Sequence, residues 1–466
     1  MTIQTLILYI AIIAAILTGV IGLVKKGHKN WLMTFLQNFT GVLFIISGLV
    51  KAIDPMGTAF KMEQYFTEFE YTFAETSAKF LAPLFPFLSS ISLVFSVVMI
   101  VFEIVLGLML ILGHKSKLTS WAFLLLVLFF TILTGFTFLT GYVPTSANFF
   151  DFSAWGAYTE TNMRVTDCGC FGDFIKLVPK ISFFKDLVLL VPAFYFVFRH
   201  KDMHQLFTVK ARNIIVSLVT ILLVIFCLNN FYWGLPVIDF RPFKVGTDLY
   251  QKKTLEEEAA SSVKITGWKL QNKKSGEVVI LTHDVYMKSL AQYPKEEWTV
   301  VEQIKTKPAI PSTKLSEFSV MSVDGFDVAE DILTDTGNVF LVVAYKLKGE
   351  SSNEEVMVAD TTWAMDTIAI NKDSFQIVRS IGSIGTRKET KEVFLWDKDY
   401  LNDYTQKVNG LMDGVMKQGA KVYAIAGGAG LEKLESFKEA TGGKYDWYEA
   451  DDILLKTIIS PLTFCV

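Results

Sequence analysis

Thr166-Asp-Cys-Gly-Cys-Phe-Gly-Asp173 is the segment whose residue types and spacing carry the sharpest chemistry in this chain. Cys168 and Cys170 stand one glycine apart, and two such thiols in an oxidising compartment tend to be paired. A bond between them closes a very small ring, and Gly169 is the residue best able to take the φ/ψ that the ring demands. Strain of that kind raises the reduction potential, so the pair is expected to be more labile than a structural staple. A dithiol of this type at a membrane boundary could pass electrons between a soluble thiol protein and a lipid quinone. Two plainer readings stand beside it. The pair could be a local structural clip, or half of a metal site, although five scattered His make a tetrahedral zinc site hard to complete. Neither Cys227, which reads as a small buried apolar residue, nor Cys465 in the C-terminal tail makes an obvious resolving partner.

Ionisable residues inside apolar stretches are the second signal, because a charge in hydrocarbon costs several kcal/mol. Glu103 lies in the middle of Val101-Phe-Glu-Ile-Val-Leu-Gly107 and is expected to face a helix-bundle interior. There it could relay protons or hydrogen-bond a quinone; a structural hydrogen bond to a neighbouring helix is the alternative. Lys51 and Asp54, three residues apart at one end of an apolar stretch, can pair with each other and anchor that end. Lys185 and Asp186 read as interfacial anchors.

These residues need a membrane frame to hold them. A bilayer core about 30 Å thick needs roughly 20 apolar residues per helix, and the first 233 residues supply that run six times. The stretches are Thr5–Val24, Trp31–Ile53, Leu84–Leu112, Leu118–Tyr142, Ser182–Phe198 and Asn213–Trp233. Short connections dense in cations (Lys25, Lys26 and Lys29; Lys115 and Lys117; Arg199, Lys201, Lys210 and Arg212) read as cytoplasmic by the positive-inside rule. The two long, acid-richer connections, about Asp54 to Pro83 and Val143 to Ile181, then face outward. All three basic loops fall on one side, which predicts an N-out, C-out bundle of six helices. No basic residue precedes the first stretch and no small-residue cleavage pattern follows it, so it reads as a retained helix.

Composition agrees with this division. With 51 % hydrophobic residues, 39 Phe, 16 Tyr and 9 Trp, the chain is too apolar to be disordered or fibrous. Its first 233 residues hold 16 Lys+Arg against 12 Asp+Glu, and the remainder 28 against 35. A net charge of −3 with no basic stripe argues against nucleic acid as a partner, and four Cys exclude a dense disulfide scaffold.

After Leu235-Pro236 the pattern becomes that of half-buried strands and amphipathic helices. Val263–Leu270 and Glu277–Thr282 read as a hairpin and Trp298–Ile304 as a further strand, and the Pro-containing stretch Lys307–Ser312 closes a small β region over residues 234–312. The rest, residues 313–466, alternates strands and helices: a strand from Phe318, an Asp324-Gly325 turn, a short helix near Val328–Leu333 and a strand at Val339–Leu347. A helix at Leu401–Gln418, a strand at Lys421–Ala426, a helix at Leu431–Thr441 and a last helix near Asp452–Ile458 follow. This order argues for a layered α/β domain. Ala424-Ile-Ala-Gly-Gly-Ala-Gly430 is followed by no Gly-Lys-Ser/Thr and reads as a plain strand-to-helix turn.

Phe318-Ser-Val-Met-Ser-Val-Asp-Gly325 followed by Val-Phe-Leu-Val-Val-Ala resembles the opening of the thioredoxin-like fold. In that fold a Cys-x-x-Cys pair would follow the strand near Tyr345, where this chain has Lys-Leu-Lys-Gly-Glu-Ser-Ser-Asn-Glu. Binding or positioning is therefore the expected role of the domain. At Ile459-Ser-Pro-Leu-Thr-Phe-Cys-Val466 a thioredoxin-like fold would next need a proline-led strand and then a closing strand and helix, so the domain is expected to be incomplete at its C-terminus. Either Leu462–Val466 is that strand and the rest is missing, or the terminus is not native.

Ser47-Gly-Leu-Val-Lys-Ala-Ile-Asp-Pro-Met-Gly57 with Lys61 and Tyr65-Phe66, then Glu103, then Asp167-Cys-Gly-Cys-Phe-Gly-Asp173 and Leu235-Pro-Val-Ile-Asp-Phe-Arg-Pro-Phe-Lys244 together resemble the DoxX-like membrane proteins. The chain looks most like the branch related to MauE, the methylamine-utilisation maturation protein, as found in Bacteroidota with an appended periplasmic thioredoxin-like domain. The resemblance implies a multi-pass protein of the bacterial inner membrane, linked in MauE-type members to disulfide formation in a periplasmic enzyme. In DoxD-type relatives it implies thiosulfate:quinone oxidoreduction, for which no sulfur-oxyanion site is evident here. It carries the redox role onto Cys168 and Cys170, which match the family's cysteine motif, with Glu103, Asp167, Asp173, Lys51 and Asp54 in support and a quinone near Glu103. The partners expected are the lipid bilayer and a periplasmic thiol protein. A different class remains open: a non-enzymatic scaffold that presents a redox-inactive thioredoxin-like domain to a periplasmic client.

Overall fold

The computed structural model describes residues 2–24, 30–165, 169–172, 174–175, 177–232, 238–371 and 374–459. They form two compact units, the described residues of 2–248 with 456–459, and those of 249–455.

The first unit is helical: α1 Ile3–Val24, α2 Trp31–Ile53, α3 Pro55–Ala74, α4 Leu84–Ser90, α5 Ser92–Leu112, α6 Ser116–Thr140, α7 Pro179–Arg199 and α8 Val209–Tyr232. Six of these, all but α3 and α4, are long and apolar enough to cross a membrane by length and composition. The expected stretch from Leu84 to Leu112 is two helices, broken at Ile91. There the Ser90 hydroxyl donates to the Phe87 carbonyl (2.7 Å), a local bond that competes with the helical ladder. The expected connection after Asp54 is instead the 20-residue helix α3. Asp54 caps it, accepting from the Gly57 N–H (2.9 Å) while Pro55 opens the first turn. Helix α3 earns its place by burying Phe60, Tyr65 and Phe66; the Tyr65 hydroxyl shares a 2.6 Å hydrogen bond with that of Thr137 on α6.

Helices α2 and α5 approach closely because glycines line the contact. A Cβ at Gly41 would lie 2.8 Å from the Gly107 carbonyl oxygen, and one at Gly107 would lie 2.7 Å from that of Gly41. Small residues of this kind let helix backbones meet in an apolar medium. At the end of the bundle remote from α3, Gly113 closes α5 in the left-handed region (φ 63°). The last carbonyls of α5 are taken up by the segment that leads into α8. The Leu206 N–H donates to Leu112 (2.9 Å) and Arg212 Nη1 donates to Gly113 (2.6 Å), while His204 Nε2 lies 2.7 Å from the Ile111 carbonyl. Burial, then the charges of Lys115 and Arg212, hold the buried His114 below the usual imidazole range.

In the second unit α9 (Leu249–Ser261) precedes an antiparallel sheet of β1 (Ile265–Asn272), β2 (Val278–Thr282) and β3 (Trp298–Lys305), ordered β2-β1-β3. These are the hairpin and third strand expected, with α10 (His283–Lys288) between β2 and β3. Beyond α11 (Ala329–Thr334) comes β4 (Val339–Ala344) and then a two-stranded antiparallel ribbon, β5 (Gly349–Asn371) with β6 (Ser374–Trp396). Helices α12 (Lys398–Asp403) and α13 (Asn409–Lys417), joined by a π turn over Tyr404–Val408, fill the expected 401–418 helix. Strand β7 (Lys421–Gly427), α14 (Leu431–Thr441) and β8 (Asp446–Ala450) complete the second unit, and α15 (Asp452–Ile459) spans the division at Leu455. Strands β4, β7 and β8 form an all-parallel sheet. It buries Ala424 and Ala426 against Phe437 and Trp447.

The segment expected as a strand from Phe318 makes only isolated bridges, through Met321 to Asp327 and to Glu449. Burial would raise the Asp327 carboxyl, but N–H groups of Val320 and Ala329, with Ser319 and Lys253, hold it below the ordinary carboxylate range. The Lys421 ammonium, followed by the Gly337 N–H, holds Asp335 low as well. A depressed carboxyl stabilises the fold fully above its unfolded value, and that contribution is lost as pH falls through the folded one. Tryptophan-fluorescence melting of the second unit's signal is therefore expected to fall away below about pH 4. Asp335→Asn should weaken that acid dependence; an identical acid profile in the variant would contradict it.

Candidate functional site

The residues with chemistry in the first unit gather where α2, α3, α5, α6 and α7 surround the turn at residues 169–172. Lys51, on the last turn of α2, donates to Glu103 Oε2 of α5 at 2.7 Å, and both side chains are buried, 8 % and 3 % exposed. Close packing of the glycine-lined α2–α5 contact brings them to one level: a Cβ at Gly48 would lie 2.4 Å from Ile104 Cγ1. The Lys51 ammonium also sits 4.8 Å from the centroid of the Phe130 ring on α6, a cation–π contact. An unpaired charge here would be prohibitive, so each member makes the other tolerable. Glu103 faces inward as expected. Lys51 and Asp54, read as able to pair or simply to anchor the end of α2, have these partners: Lys51 donates to Glu103 of α5, and Asp54 caps α3.

One helical turn before Lys51, Ser47 Oγ donates to the backbone carbonyl of Cys170 (2.9 Å). Ser47 lies six residues inside the end of α2, about 9 Å of helix at ~1.5 Å per residue, so the turn is seated against the side of the bundle. Gly169 takes φ 61° and Gly172 φ 49°, both left-handed. Cys170 is partly buried and packs on the main apolar cluster of the bundle, where Phe171, Ile175 and Leu177 are buried. Cys168, Asp167 and Asp173 lie outside the described residues.

Two lysines flank the turn. The stem of Lys61 on α3 lies against Gly169, its Cγ 3.2 Å from where a Cβ would be. Lys185 on α7 places its ammonium 6.0 Å from the Phe171 ring centroid and 2.7 Å from Asp186 Oδ1. Asp186 is 1 % exposed and accepts from the Thr134 hydroxyl of α6 at 2.9 Å. Asp186, read with Lys185 as an anchor of this helix, is buried against α6, whose Thr134 hydroxyl donates to it. Sequence reading also passed over Ser47, Phe130 and Thr134 as site residues. The usable signal was the i, i+4 spacing of Ser47 and Lys51, which puts them on one helix face. Nearby on α3, Glu68 is raised by burial, opposed by Arg164 at 3.7 Å.

The arrangement offers a buried ammonium–carboxylate pair, an aromatic ring beside it, and a Cys170 turn bonded to Ser47 with lysine side chains on two sides. Residues 29–147, roughly a quarter of the chain, match the family model for Methylamine utilisation protein MauE. The matched segment holds Ser47, Lys51, Lys61, Glu103 and Phe130 but ends before the cysteines. It supports a relationship of this helical segment to that membrane family, and with the six apolar helices it marks a multi-pass membrane protein. No curated protein and no solved structure matches the chain.

Proposed function

We propose that this protein is a MauE-related thiol–disulfide factor of the bacterial inner membrane, N-out and C-out, whose Cys168/Cys170 pair exchanges disulfides with a periplasmic thiol protein. What supports the reading is the seat of the turn: Gly169 is left-handed and the Cys170 carbonyl accepts from Ser47, which stands one helical turn before Lys51 of the buried Lys51–Glu103 pair. A client dithiol gives up two electrons and two protons as its sulfurs join, and the Cys168–Cys170 bond takes the electrons and opens to two thiols. Reclosing the pair needs a two-electron, two-proton acceptor, the chemistry that a lipid quinone would supply if bound. Lys51 has three ammonium protons and gives one to Glu103, so its others suit a quinone carbonyl. Phe130 offers a flat apolar wall for a quinone ring, and Glu103 holds the Lys51 ammonium in place inside the bundle.

The periplasmic unit is read as thioredoxin-like from its parallel β4-β7-β8 sheet with intervening helices. The β5–β6 ribbon follows β4 where a Cys-x-x-Cys pair would stand, so this unit binds or positions a client and leaves the electron transfer to the turn.

The test uses the full chain in lipid nanodiscs, a reduced dithiol peptide and a short-chain ubiquinone. Cys168→Ser is expected to stop quinone-linked oxidation of the peptide. Glu103→Gln should slow it at least about tenfold, equivalent to ~1.4 kcal/mol in the barrier. If neither substitution slows the reaction, the redox reading is abandoned and a scaffold that presents a redox-inactive domain to a client takes its place.

A further inference from the structure

Between α3 and α5 the chain runs Thr76-Ser-Ala-Lys-Phe-Leu-Ala-Pro-Leu-Phe-Pro-Phe-Leu-Ser-Ser-Ile91, in which Lys79 is the sole ionisable residue. A 3-10 turn over Lys79–Leu81 leads into α4 through Ala82 and Pro83, both right-handed, so the backbone is helical from Lys79 to Ser90. Pro83 and Pro86 bring no N–H to the first turn of α4, where a helix leaves its donors unbonded, and an apolar surrounding costs this backbone less for it. One face of the run is occupied. The Phe85 ring lies 5.6 Å from the ring centroids of Phe69 and of Phe73 on α3, and Leu88 packs on the cluster of Tyr65 and Phe66. The other face presents Phe80, Leu84 and Phe87, spaced four and then three residues apart and 76 %, 47 % and 59 % exposed.

We propose that Lys79–Ile91 is an interfacial anchor whose Phe80, Leu84 and Phe87 enter the acyl–headgroup boundary of the leaflet in which α5 begins, with Lys79 at the level of the lipid phosphates. The partner is the bilayer surface, and two observations select it. Helix α5 starts at Ser92, directly after the run, and is one of the six helices able to cross a membrane. Its Val94 and Val98 are exposed like Phe87, so the apolar face of the run continues along the chain into the lipid-facing side of a spanning helix. On its other side the run is seated on α3, where Lys61, Glu63, Glu68 and Glu70 are charges that keep that helix out of hydrocarbon. A segment fastened to both belongs at the boundary between water and lipid. The break at Ile91 agrees with that depth, because headgroups and water can satisfy backbone groups at a helix end and hydrocarbon cannot. Aromatic and leucine side chains on one face with a lysine at the edge are what such in-plane helices use, at about 5–10 Å into the boundary. The aliphatic stem of Lys79 can lie along the apolar layer while its ammonium stays among the phosphates. The assignment is independent of the redox reading and involves no cysteine.

The experiment uses the full-length protein in phosphatidylcholine nanodiscs doped with a photoreactive lipid. One preparation carries a diazirine on the acyl chain close to the glycerol, the other a diazirine at the terminal methyl end. After irradiation and digestion, lipid adducts are mapped by mass. The Lys79–Ile91 peptide is expected to take up the shallow probe several-fold more than the deep one, and the α5 peptide holding Val98 and Phe102 to show the opposite order. Phe80→Ser/Phe87→Ser, which removes side chains that are mostly exposed, should abolish most of the shallow labelling of Lys79–Ile91 and leave that of α5 unchanged. Labelling of α5 alone would mean that water or another protein surface, a second copy of this chain included, covers the face, and the inference would fall. Preference for the deep probe across Lys79–Ile91 would make the run part of a spanning helix and overturn it as well. Undiminished shallow labelling in the double variant would remove the role given to Phe80 and Phe87.

Discussion

Lys51→Met is expected to destabilise the membrane unit by about 3–5 kcal/mol, the cost found when one partner of a buried ion pair is removed and the other is left uncompensated. The cause is not the worth of the contact itself. Lys51 and Glu103 are both nearly excluded from solvent, so neither can recover hydration when its partner goes. The diagnostic comparison is the double variant Lys51→Met/Glu103→Leu. Replacing a whole buried pair by apolar side chains of similar volume is often neutral or stabilising, so the double variant should recover most of the loss. Thermal unfolding of the detergent-purified protein reads both. Retention of wild-type stability by the single variant would mean that the pair is solvated in the membrane, and the site would need to be redrawn as water-accessible.

Gly113→Ala should be comparably damaging, at about 3 kcal/mol or more, though it adds one methyl group. Position 113 is left-handed, which costs a non-glycine residue about 1–2 kcal/mol. The added Cβ would also fall 1.7 Å from the His204 carbonyl oxygen, and neither backbone can yield without cost. Moving that carbonyl pulls on the Gln37 side chain, which accepts from the His204 N–H at 3.0 Å, and on the Leu206–Leu112 bond. Each buried hydrogen bond lost adds roughly 0.5–1.5 kcal/mol. Gly19→Ala is the control, since α1 offers nothing within 4 Å of that Cβ. Its unfolding temperature should differ little from wild type. Equal effects at both positions would show that the strain at 113 is relieved by movement of the 204–206 segment.

Legibility from sequence tracked how local the cause was. The six apolar stretches, the hairpin of β1 and β2, and the strand-to-helix passage at Gly427–Leu431 all depend on residues near one another in the chain. Their reading survives with shifted ends. Helix α3 was passed over because its sequence mixes Glu and Lys with aromatic residues, and its stabilisation comes from Phe60, Tyr65 and Phe66 docking on other helices. The ribbon of β5 and β6 was passed over for a different reason. A two-stranded ribbon has no single buried face, so nothing imposes the period-two alternation by which strands are recognised. Among its described side chains Trp363, Ile384 and Leu395 are exposed.

From residue types and spacing alone came the Cys-Gly-Cys turn with its need for a permissive glycine, the inward-facing Glu103 and the division between a helical membrane unit and a sheet-bearing unit. Those properties follow from burial cost and backbone sterics, which act within a few residues of their origin. Which groups meet was decided only in three dimensions. Lys51 finds Glu103 across 52 positions and Ser47 finds the Cys170 carbonyl across 123. Lys61 and Lys185 converge on one turn from separate helices. Such partners are selected by the packing of glycine-lined helices in an apolar medium, where any unpaired charge or carbonyl is costly, and no single segment carries the information about which neighbour will satisfy it.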